Sequence, residues 1–358
     1  MMEAVRVAYT LEQCWHRVPG GTAVAAMQTA EAMKGIHDVE LVGVSGRHRR
    51  PPPVDWLPPI SCAQLPLGTP LLYEAWLYAG WPRPESVTGP VDVVHATTLI
   101  PCPTSRPLVI TLHDLAFLHR PEQFTRHGVR LFKRGLEIIK RSADLVLCCS
   151  QATLDDCVVA GLSAERLRHV PLGVDLDHAT PQDVARVRAL YRLPEQYLLF
   201  VGTVEPRKNL RGLARAVAML DSPLPLVVAG AEGWGDVAAD VVGDVEFLGF
   251  VPNEDLYALY AGAHVFCYPS ELEGYGLPVL EAMAQGTPVV TSTHGATSEA
   301  AGGAAVLVDP ADPVDIARGI TEAISRRAEL AALGRHRAAR ATWATTAELT
   351  ASAYRELA

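Results

Sequence analysis

The chain has 358 residues, of which 49% are hydrophobic and 20% charged, so it can bury two cores of ordinary size and is not a disordered protein. Its net charge is −9, and the lack of a general basic surface excludes nucleic acid as an expected partner. Glu3 near the start is unlike a signal peptide, and no apolar run approaches a bilayer-spanning length, so we expect a cytoplasmic protein.

Strand patterns alternate with helical patterns from the first residues onward. Short apolar runs typical of strands buried on both faces occur at 5–10, 39–45, 91–96, 107–114 and 143–150. A helical pattern between the first two runs ends at Gly35, residues 47–60 form a Pro-rich surface segment, and 126–145 form a basic amphipathic segment. This order of elements predicts a parallel sheet with right-handed crossovers.

The alternation restarts in the second half. Strand patterns occur at 196–204, 224–230, 245–251, 263–270, 287–292 and 304–309. Helical patterns between them include 209–220, 253–263, 278–286 and 312–326. The last of these has Asp312 as its expected N-cap and Pro313 at its first position.

We therefore predict an α/β protein made of two Rossmann-like domains that face each other across a cleft. The first covers 1–182, the second covers 183–341, and a closing helix at 342–358 packs back on the first. Ligands of open α/β sheets bind at the carboxyl ends of the strands, so the chemistry is expected in loops that follow strands.

Seven cysteines are present, an odd number without a C-x-x-C pair. Several lie in apolar runs, so we interpret them as buried free thiols, with metal binding as the alternative.

Two loops in the first half carry candidate functional residues. Gly20 and Gly21 follow the first strand and precede a helix, which favours close approach to an anion; a plain loop-to-helix turn is the alternative. His113, followed by Asp114, ends the strand at 107–114 and could bind a substrate hydroxyl or act as an acid or base. A single histidine at such a position is more often a structural hydrogen-bonding group, so this is the first interpretation of His113 and a functional role is the alternative.

A basic loop, "VGTVEPRKNL" (201–210), follows the first strand of the second half. Arg207 and Lys208 lie just ahead of a helix, where a guanidinium fork, an ammonium group and helix N–H groups suit a diphosphate. A solvated basic turn is the alternative interpretation.

An acidic loop, "SELEGYGLPVLEAMAQGTPVVTS" (270–292), places Glu273 and Glu281 around a Gly-x-Gly turn. We predict Pro278 at the first helical position, Glu281 in the first turn facing sugar hydroxyls, and backbone N–H groups near Gly276 and Leu277 facing phosphate. A helix-dipole partner and a surface charge would explain each glutamate separately but not the turn between them.

These two loops, together with "DVVHATT" (92–98) and "VPLGVD" (170–175), resemble the motifs of the retaining GT-B enzymes of glycosyltransferase family 4, whose signature is E-x7-E. Within that family the chain is similar to bacterial mannosyltransferases of O-antigen and polysaccharide assembly. The resemblance covers nearly the whole chain and is weakest at about 47–90.

The resemblance implies roles for residues of the second half. Glu281 would bind the ribose hydroxyls, Arg207 and Lys208 would neutralise the donor diphosphate, and Glu273 would contact the transferred sugar. Many relatives carry an arginine where this chain has Thr203, and we expect Arg207 to take over its role.

The resemblance also implies contacts to the sugar, the phosphates and the base of the donor. Backbone groups of Tyr275, Gly276 and Leu277 would contact sugar and phosphate, and the loop at Phe250 and Val251 would hold the base. In the first half, Gly20 and Gly21 would approach the donor phosphates, and His113 would lie near the reacting carbon.

The implied activity is transfer of a hexose, with mannose favoured, from a nucleoside-diphosphate sugar to a hydroxyl acceptor with retention at the anomeric carbon. GDP-mannose is the favoured donor, with UDP- or dTDP-sugars as alternatives, and no cofactor or metal is expected. A nucleotide-sugar epimerase and an inactive nucleotide-sugar-binding protein are the alternative functions.

The acceptor is left open among a sugar, a lipid-linked saccharide and a small molecule. The basic segment is interpreted first as an ordinary packed helix with a solvated basic face. Peripheral contact through 126–141 with the inner face of the membrane is the alternative.

Overall fold

The computed structural model describes residues 4–16, 19–231, 233, 241 and 243–358. The chain divides into two compact units, one of Met1–Gly173 with Trp343–Ala358 and the other of Val174–Thr342. The boundary between the first and second units therefore lies between residues 173 and 174, whereas the boundary predicted from the sequence lies between 182 and 183. Residues after Gly173 bind the second unit: the Tyr257 hydroxyl donates to Asp175 Oδ2 at 3.2 Å, and Ala179 N donates to Gln285 Oε1 at 3.0 Å.

The first unit is built on a parallel sheet. Its strands are β1 (Val5–Thr10), β2 (Val39–Ser45), β3 (Cys62–Gln64), β4 (Val93–Ala96), β5 (Leu108–Leu112), β6 (Leu145–Cys148) and β7 (Leu167–His169). Within the described residues their order is β3-β2-β1-β4-β5-β6-β7. The edge strands β3 and β7 were not predicted from the sequence. Each has only three residues, some of them exposed, and so presents no apolar run.

The helices of this part are α1 (Gly21–Met33), α2 (Leu71–Glu74), α3 (Glu85–Thr88), α4 (Ala116–His119), α5 (Arg126–Ser142) and α6 (Gln151–Val159). The basic segment is thus the helix α5, which starts after the N-cap Thr125, whose side chain accepts from Gly128 N.

The second unit is also a parallel sheet flanked by helices. Its strands are β8 (Leu198–Val201), β9 (Leu226–Ala229), β10 (Val245–Gly249), β11 (Val265–Tyr268), β12 (Val289–Ser292) and β13 (Val306–Val308). Their order among the described residues is β10-β9-β8-β11-β12-β13. All of these strands lie in the predicted runs.

The helices of the second unit are α7 (Pro181–Leu190), α8 (Leu210–Val217), α9 (Asn253–Gly262), α10 (Leu277–Ala284), α11 (Ala296–Ala301), α12 (Pro313–Ser325) and α13 (Arg327–Ala338). The predicted start of α12 is confirmed, because Asp312 accepts from Val314 N and Pro313 is the first helical residue.

The closing helix α14 (Trp343–Leu357) belongs to the first unit. Ala347, Ala351 and Tyr354 lie in the hydrophobic core beneath the first sheet. The Tyr354 hydroxyl lies 2.7 Å from His95 Nδ1, and burial lowers the pKa of His95 to about 3, so this strand-end histidine is neutral and structural.

The two-domain α/β prediction is confirmed. Every helix in the described ranges is too short or too polar to cross a bilayer.

Candidate functional site

The basic loop is folded so that Arg207 and Lys208 lie in a short 3₁₀ turn between β8 and α8. Asn209 follows in the left-handed conformation, φ 56°, and its amide donates to Pro269 O at 3.2 Å and Pro310 O at 2.6 Å. These bonds tie the turn to the loops that follow β11 and β13. The sheet order places β8 beside β11, so the two loops meet at the carboxyl ends of neighbouring strands.

Gly202 makes room for the lysine. It has φ +149°, and a Cβ at this position would lie 3.2 Å from Lys208 Cδ and 3.3 Å from Nζ. A side chain here would therefore displace the ammonium group as well as strain the backbone.

The Glu273 carboxylate joins both cations. Oε1 accepts from Lys208 Nζ at 2.9 Å, from the Tyr268 hydroxyl at 2.8 Å and from Ser270 Oγ at 3.0 Å. Oε2 accepts from Arg207 Nη1 at 3.2 Å. The structure thus gathers three of the predicted site residues into one charged cluster within the second unit.

The electrostatics of the cluster keep Glu273 ionised. Burial alone would raise the pKa of this carboxyl, whose side chain is 11% exposed, but the charges of Arg207 and Lys208 outweigh burial and lower the pKa to about 2. The group is therefore an anion and a hydrogen-bond acceptor near neutral pH, and it is unsuited to donate a proton.

Glu205, which lies in the basic loop itself, was not predicted as a site residue. Its Oε1 is 2.7 Å from Arg207 Nη2, and its side chain is 3% exposed. Burial raises its pKa, and the charges of Arg207 and Lys208 oppose that shift. An acid two positions before an arginine in a strand-end loop was the available signal.

Tyr268, the last residue of β11, was also missed. Its hydroxyl bonds both Lys208 Nζ and Glu273, and the ammonium lies 5.0 Å from the ring centroid. A tyrosine at the carboxyl end of a buried strand places its hydroxyl where strand-end loops meet, and that position was the signal for it.

The start of α10 differs from the prediction. Gly276 is the N-cap with φ +112°, and a Cβ there would lie 3.2 Å from Thr297 Cγ2, so the chain turns into the helix one residue earlier than expected. Pro278 is therefore the second helical residue, and Glu281 lies in the second turn instead of the first.

Glu281 presents one occupied and one open oxygen. Oε2 accepts from the Tyr260 hydroxyl at 2.8 Å, and Oε1 has no hydrogen-bond partner within the described part of the chain. Burial raises the pKa of Glu281, and the hydrogen bond from Tyr260 opposes this shift. A carboxylate oriented by a tyrosine, with an oxygen to spare, suits hydroxyl recognition.

The other residues of the second unit that were predicted to contact the donor differ in the exposure of their side chains. Phe250, directly after the edge strand β10, is 60% exposed, whereas Val251, Tyr275 and Leu277 have buried side chains. Thr203 is partly exposed beside Gly202. Any ligand contact by the three buried residues would therefore use their backbone groups.

The expectation of a metal-free site overlooked one D-x-D sequence, Asp175-Leu176-Asp177. Asp175 Oδ2 accepts from Tyr257, and the backbone oxygen of Asp177 accepts from Gln285 Nε2 at 2.6 Å. No cluster of three or more metal-ligating side chains occurs in the described ranges.

The predicted residues of the first unit lie at the start of α1 and directly after β5. Gly20, with φ +92°, is the N-cap of α1 and Gly21 is its first residue, and both are exposed. His113 follows β5, and its Nε2 lies 3.3 Å from Thr97 O. Burial lowers the pKa of His113, so its imidazole is neutral at pH 7.

Each half of the chain matches the model of a known family of glycosyltransferase domains. The profile of Glycosyltransferase Family 4 matches residues 19–178, and that of Glycosyl transferases group 1 matches 184–340. The chain is 35% identical over 267 residues to O-antigen chain mannosyltransferase B of Escherichia coli, and the alignment covers 70% of each chain. The chain belongs to glycosyltransferase family 4. It is thus a glycosyltransferase that uses a nucleotide sugar.

Other family 4 relatives are more distant or longer. The serotype-specific mannosyltransferase WbdA of Escherichia coli is 27% identical over 314 residues, which cover 80% of this chain but 37% of that protein. D-inositol 3-phosphate glycosyltransferase of Mycobacteroides abscessus is 32% identical over 272 residues, covering 69% of this chain and 60% of that one.

Solved structures of the same fold include HepE from Anabaena, determined with UDP and glucose. It superposes with a TM-score of 0.76 at 21% identity, over 99% of this chain and 100% of that one. WaaG, a glycosyltransferase involved in lipopolysaccharide biosynthesis, gives a TM-score of 0.72 at 19% identity, over 98% and 99%. These likenesses support the GT-B fold.

Proposed function

We propose that this family 4 enzyme is a retaining, metal-independent mannosyltransferase of polysaccharide assembly, with GDP-mannose as the favoured donor. The observation that carries the proposal is the cluster in which Arg207 and Lys208 share the Glu273 carboxylate. The sugar is inferred from the relatives named O-antigen chain mannosyltransferase and serotype-specific mannosyltransferase.

Donor binding uses groups of the second unit in this proposal. Arg207 and Lys208 bind the diphosphate, and the open oxygen of Glu281 accepts from the ribose hydroxyls. The exposed ring of Phe250 packs against the base, while backbone groups at Gly276 and Leu277 contact phosphate and sugar.

Catalysis then rests on stabilising the leaving group. The bond between the anomeric carbon and the diphosphate oxygen breaks, and the two cations meet the charge that develops on that oxygen. The acceptor oxygen attacks from the same face, and its proton passes to the departing phosphate, so the anomeric configuration is retained. The anionic Glu273 stabilises positive charge on the sugar.

A transfer assay in excess EDTA tests the proposal directly. The donors are GDP-mannose, UDP-glucose and dTDP-glucose, offered with a panel of mannosides and lipid-linked saccharides, and NMR reports the anomer formed. We expect mannose transfer to an α-linked product from GDP-mannose. A β-linked product would contradict retention, and activity restored only by a divalent ion would contradict the metal-free reaction. Epimerised donor, or donor binding without transfer, would indicate one of the alternative functions.

We also propose that the first unit contacts an anionic membrane electrostatically. The apolar residues Leu131, Leu136 and Ile139 of α5 are buried in the core of that unit, so this face is not available to lipid. The exposed cations of the helix are Arg126, Arg130, Lys133 and Arg141. In this proposal α5 holds a lipid surface by the charge on its outer face, without insertion.

Vesicle co-sedimentation checks this contact. We expect binding to vesicles that contain phosphatidylglycerol at low salt, and its loss at high salt, because exposed charges are screened. The double substitution Arg126→Gln with Lys133→Gln should weaken binding. Equal binding to purely zwitterionic vesicles, or no salt dependence, would contradict the proposal.

A further inference from the structure

The proposed diphosphate site already contains its own anions. Arg207 lies between Glu205, at 2.7 Å, and Glu273, at 3.2 Å, and Lys208 lies 2.9 Å from Glu273. Two cations therefore face two carboxylates, and their formal charges sum to zero. A loop that looks basic in sequence is electrically balanced by these two carboxylates.

The balance follows from burial. The side chain of Lys208 is 9% exposed and that of Arg207 is 18% exposed, so water solvates neither cation fully. A buried cation without a counter-ion is strongly unfavourable, and the carboxylates remove that cost. A diphosphate that approaches the same N–H donors therefore meets oxygens already in place.

The two carboxylates differ in how readily each can move away from the cations. Glu205 is 3% exposed and lies within the basic loop beside the arginine that it pairs with. Glu273 is 11% exposed and belongs to a loop with glycines at 274 and 276, where the backbone meets less steric restriction. Glu273 also bonds both cations at once, so its release frees donors on Arg207 and Lys208 together.

We propose that Glu273 and the diphosphate of the ligand compete for Arg207 and Lys208, so that Glu273 is a built-in counter-anion that weakens binding of free nucleoside diphosphate. This inference rests on the proposed function, which assigns the diphosphate to these cations. The free diphosphate product carries more negative charge than the sugar-linked donor, so the same carboxylate opposes the product more strongly and favours its release.

Titration calorimetry of the full chain with GDP and UDP tests the competition. Glu273→Gln keeps the shape of the side chain and removes its charge, so we expect about tenfold or greater gain in affinity for the preferred nucleoside diphosphate, as expected for a charge a few ångströms away. Glu271→Gln is the matched control, because it removes the same charge from an exposed position of the same loop, and its affinity should match that of the unaltered protein.

The outcomes separate this inference from the proposed function. Unchanged or weaker binding of the diphosphate by a folded Glu273→Gln protein overturns the competition while leaving the site assignment intact. Absence of nucleotide binding in the unaltered protein and in both variants overturns the two together. If Glu273→Gln does not fold, a crystal structure of the unaltered protein with nucleoside diphosphate decides. Loss of the Glu273–Lys208 contact supports competition, and its persistence at 2.9 Å beside bound phosphate overturns it.

Discussion

Lys208→Ala is expected to lower kcat/KM for the nucleotide-sugar donor by about 10³-fold, an effect of the size seen when one donor to a developing oxyanion is removed. Lys208 contributes the ammonium group of the cluster, and this group is held in place by Glu273 and Tyr268. Its loss leaves the diphosphate oxygen without that charge as the bond to the sugar breaks. Steady-state kinetics with varied donor would show the change.

Stability measurements separate this effect from unfolding. Lys208→Ala takes one partner from the Glu273 carboxylate but leaves Arg207, Ser270 and Tyr268 in contact with it, so we expect a loss of about 1–3 kcal/mol in the free energy of unfolding. Lys34→Ala is the control, because Lys34 is an exposed lysine paired with Glu31 on α1, and its activity should match the unaltered protein. A folded Lys208→Ala protein with full activity would refute the role of the lysine.

Glu281→Ala is expected to weaken donor binding by at least about 10²-fold. In the proposed site two hydroxyls of the ribose lose a charged acceptor, and each such hydrogen bond contributes about 1.5–3 kcal/mol. The side chain is oriented by Tyr260 at 2.8 Å, so little freedom is spent when the donor binds. Calorimetric titration with the nucleoside diphosphate measures the loss.

A nucleotide without its 2′-hydroxyl identifies the contact. The unaltered protein should bind 2′-deoxy-GDP more weakly than GDP, whereas Glu281→Ala should bind the two alike, because the group that distinguishes them is gone. Glu254→Ala, at an exposed glutamate of α9, should keep the discrimination. Persistence of the 2′-hydroxyl preference in Glu281→Ala would place the ribose elsewhere.

The inner strands and the two loops of the charged cluster could be predicted for identifiable reasons. Runs of buried Val, Ile and Leu mark the inner strands directly, and because ligands bind at the carboxyl ends of parallel strands, charged residues in loops that follow strands were the candidates. Arg207, Lys208 and Glu273 lie in two such loops, and the order of strands in the sheet brings these loops together. The shifted helix start at Leu277 shows the limit of local signals, since it depends on a left-handed Gly276 at a position where a Cβ would crowd Thr297.

The sequence by itself determined the two α/β units, the inner strands, the family and the two loops that carry Arg207, Lys208 and Glu273, because these follow from periodicity and from motifs within a few residues. The tertiary structure alone decided how the charges pair. Lys208 and Glu273 are 65 positions apart, and no local pattern states that one carboxylate bonds both cations or that Glu205 flanks the arginine. Charge pairing depends on distances set by the folded sheet, which is why a loop that reads as basic is neutral in place.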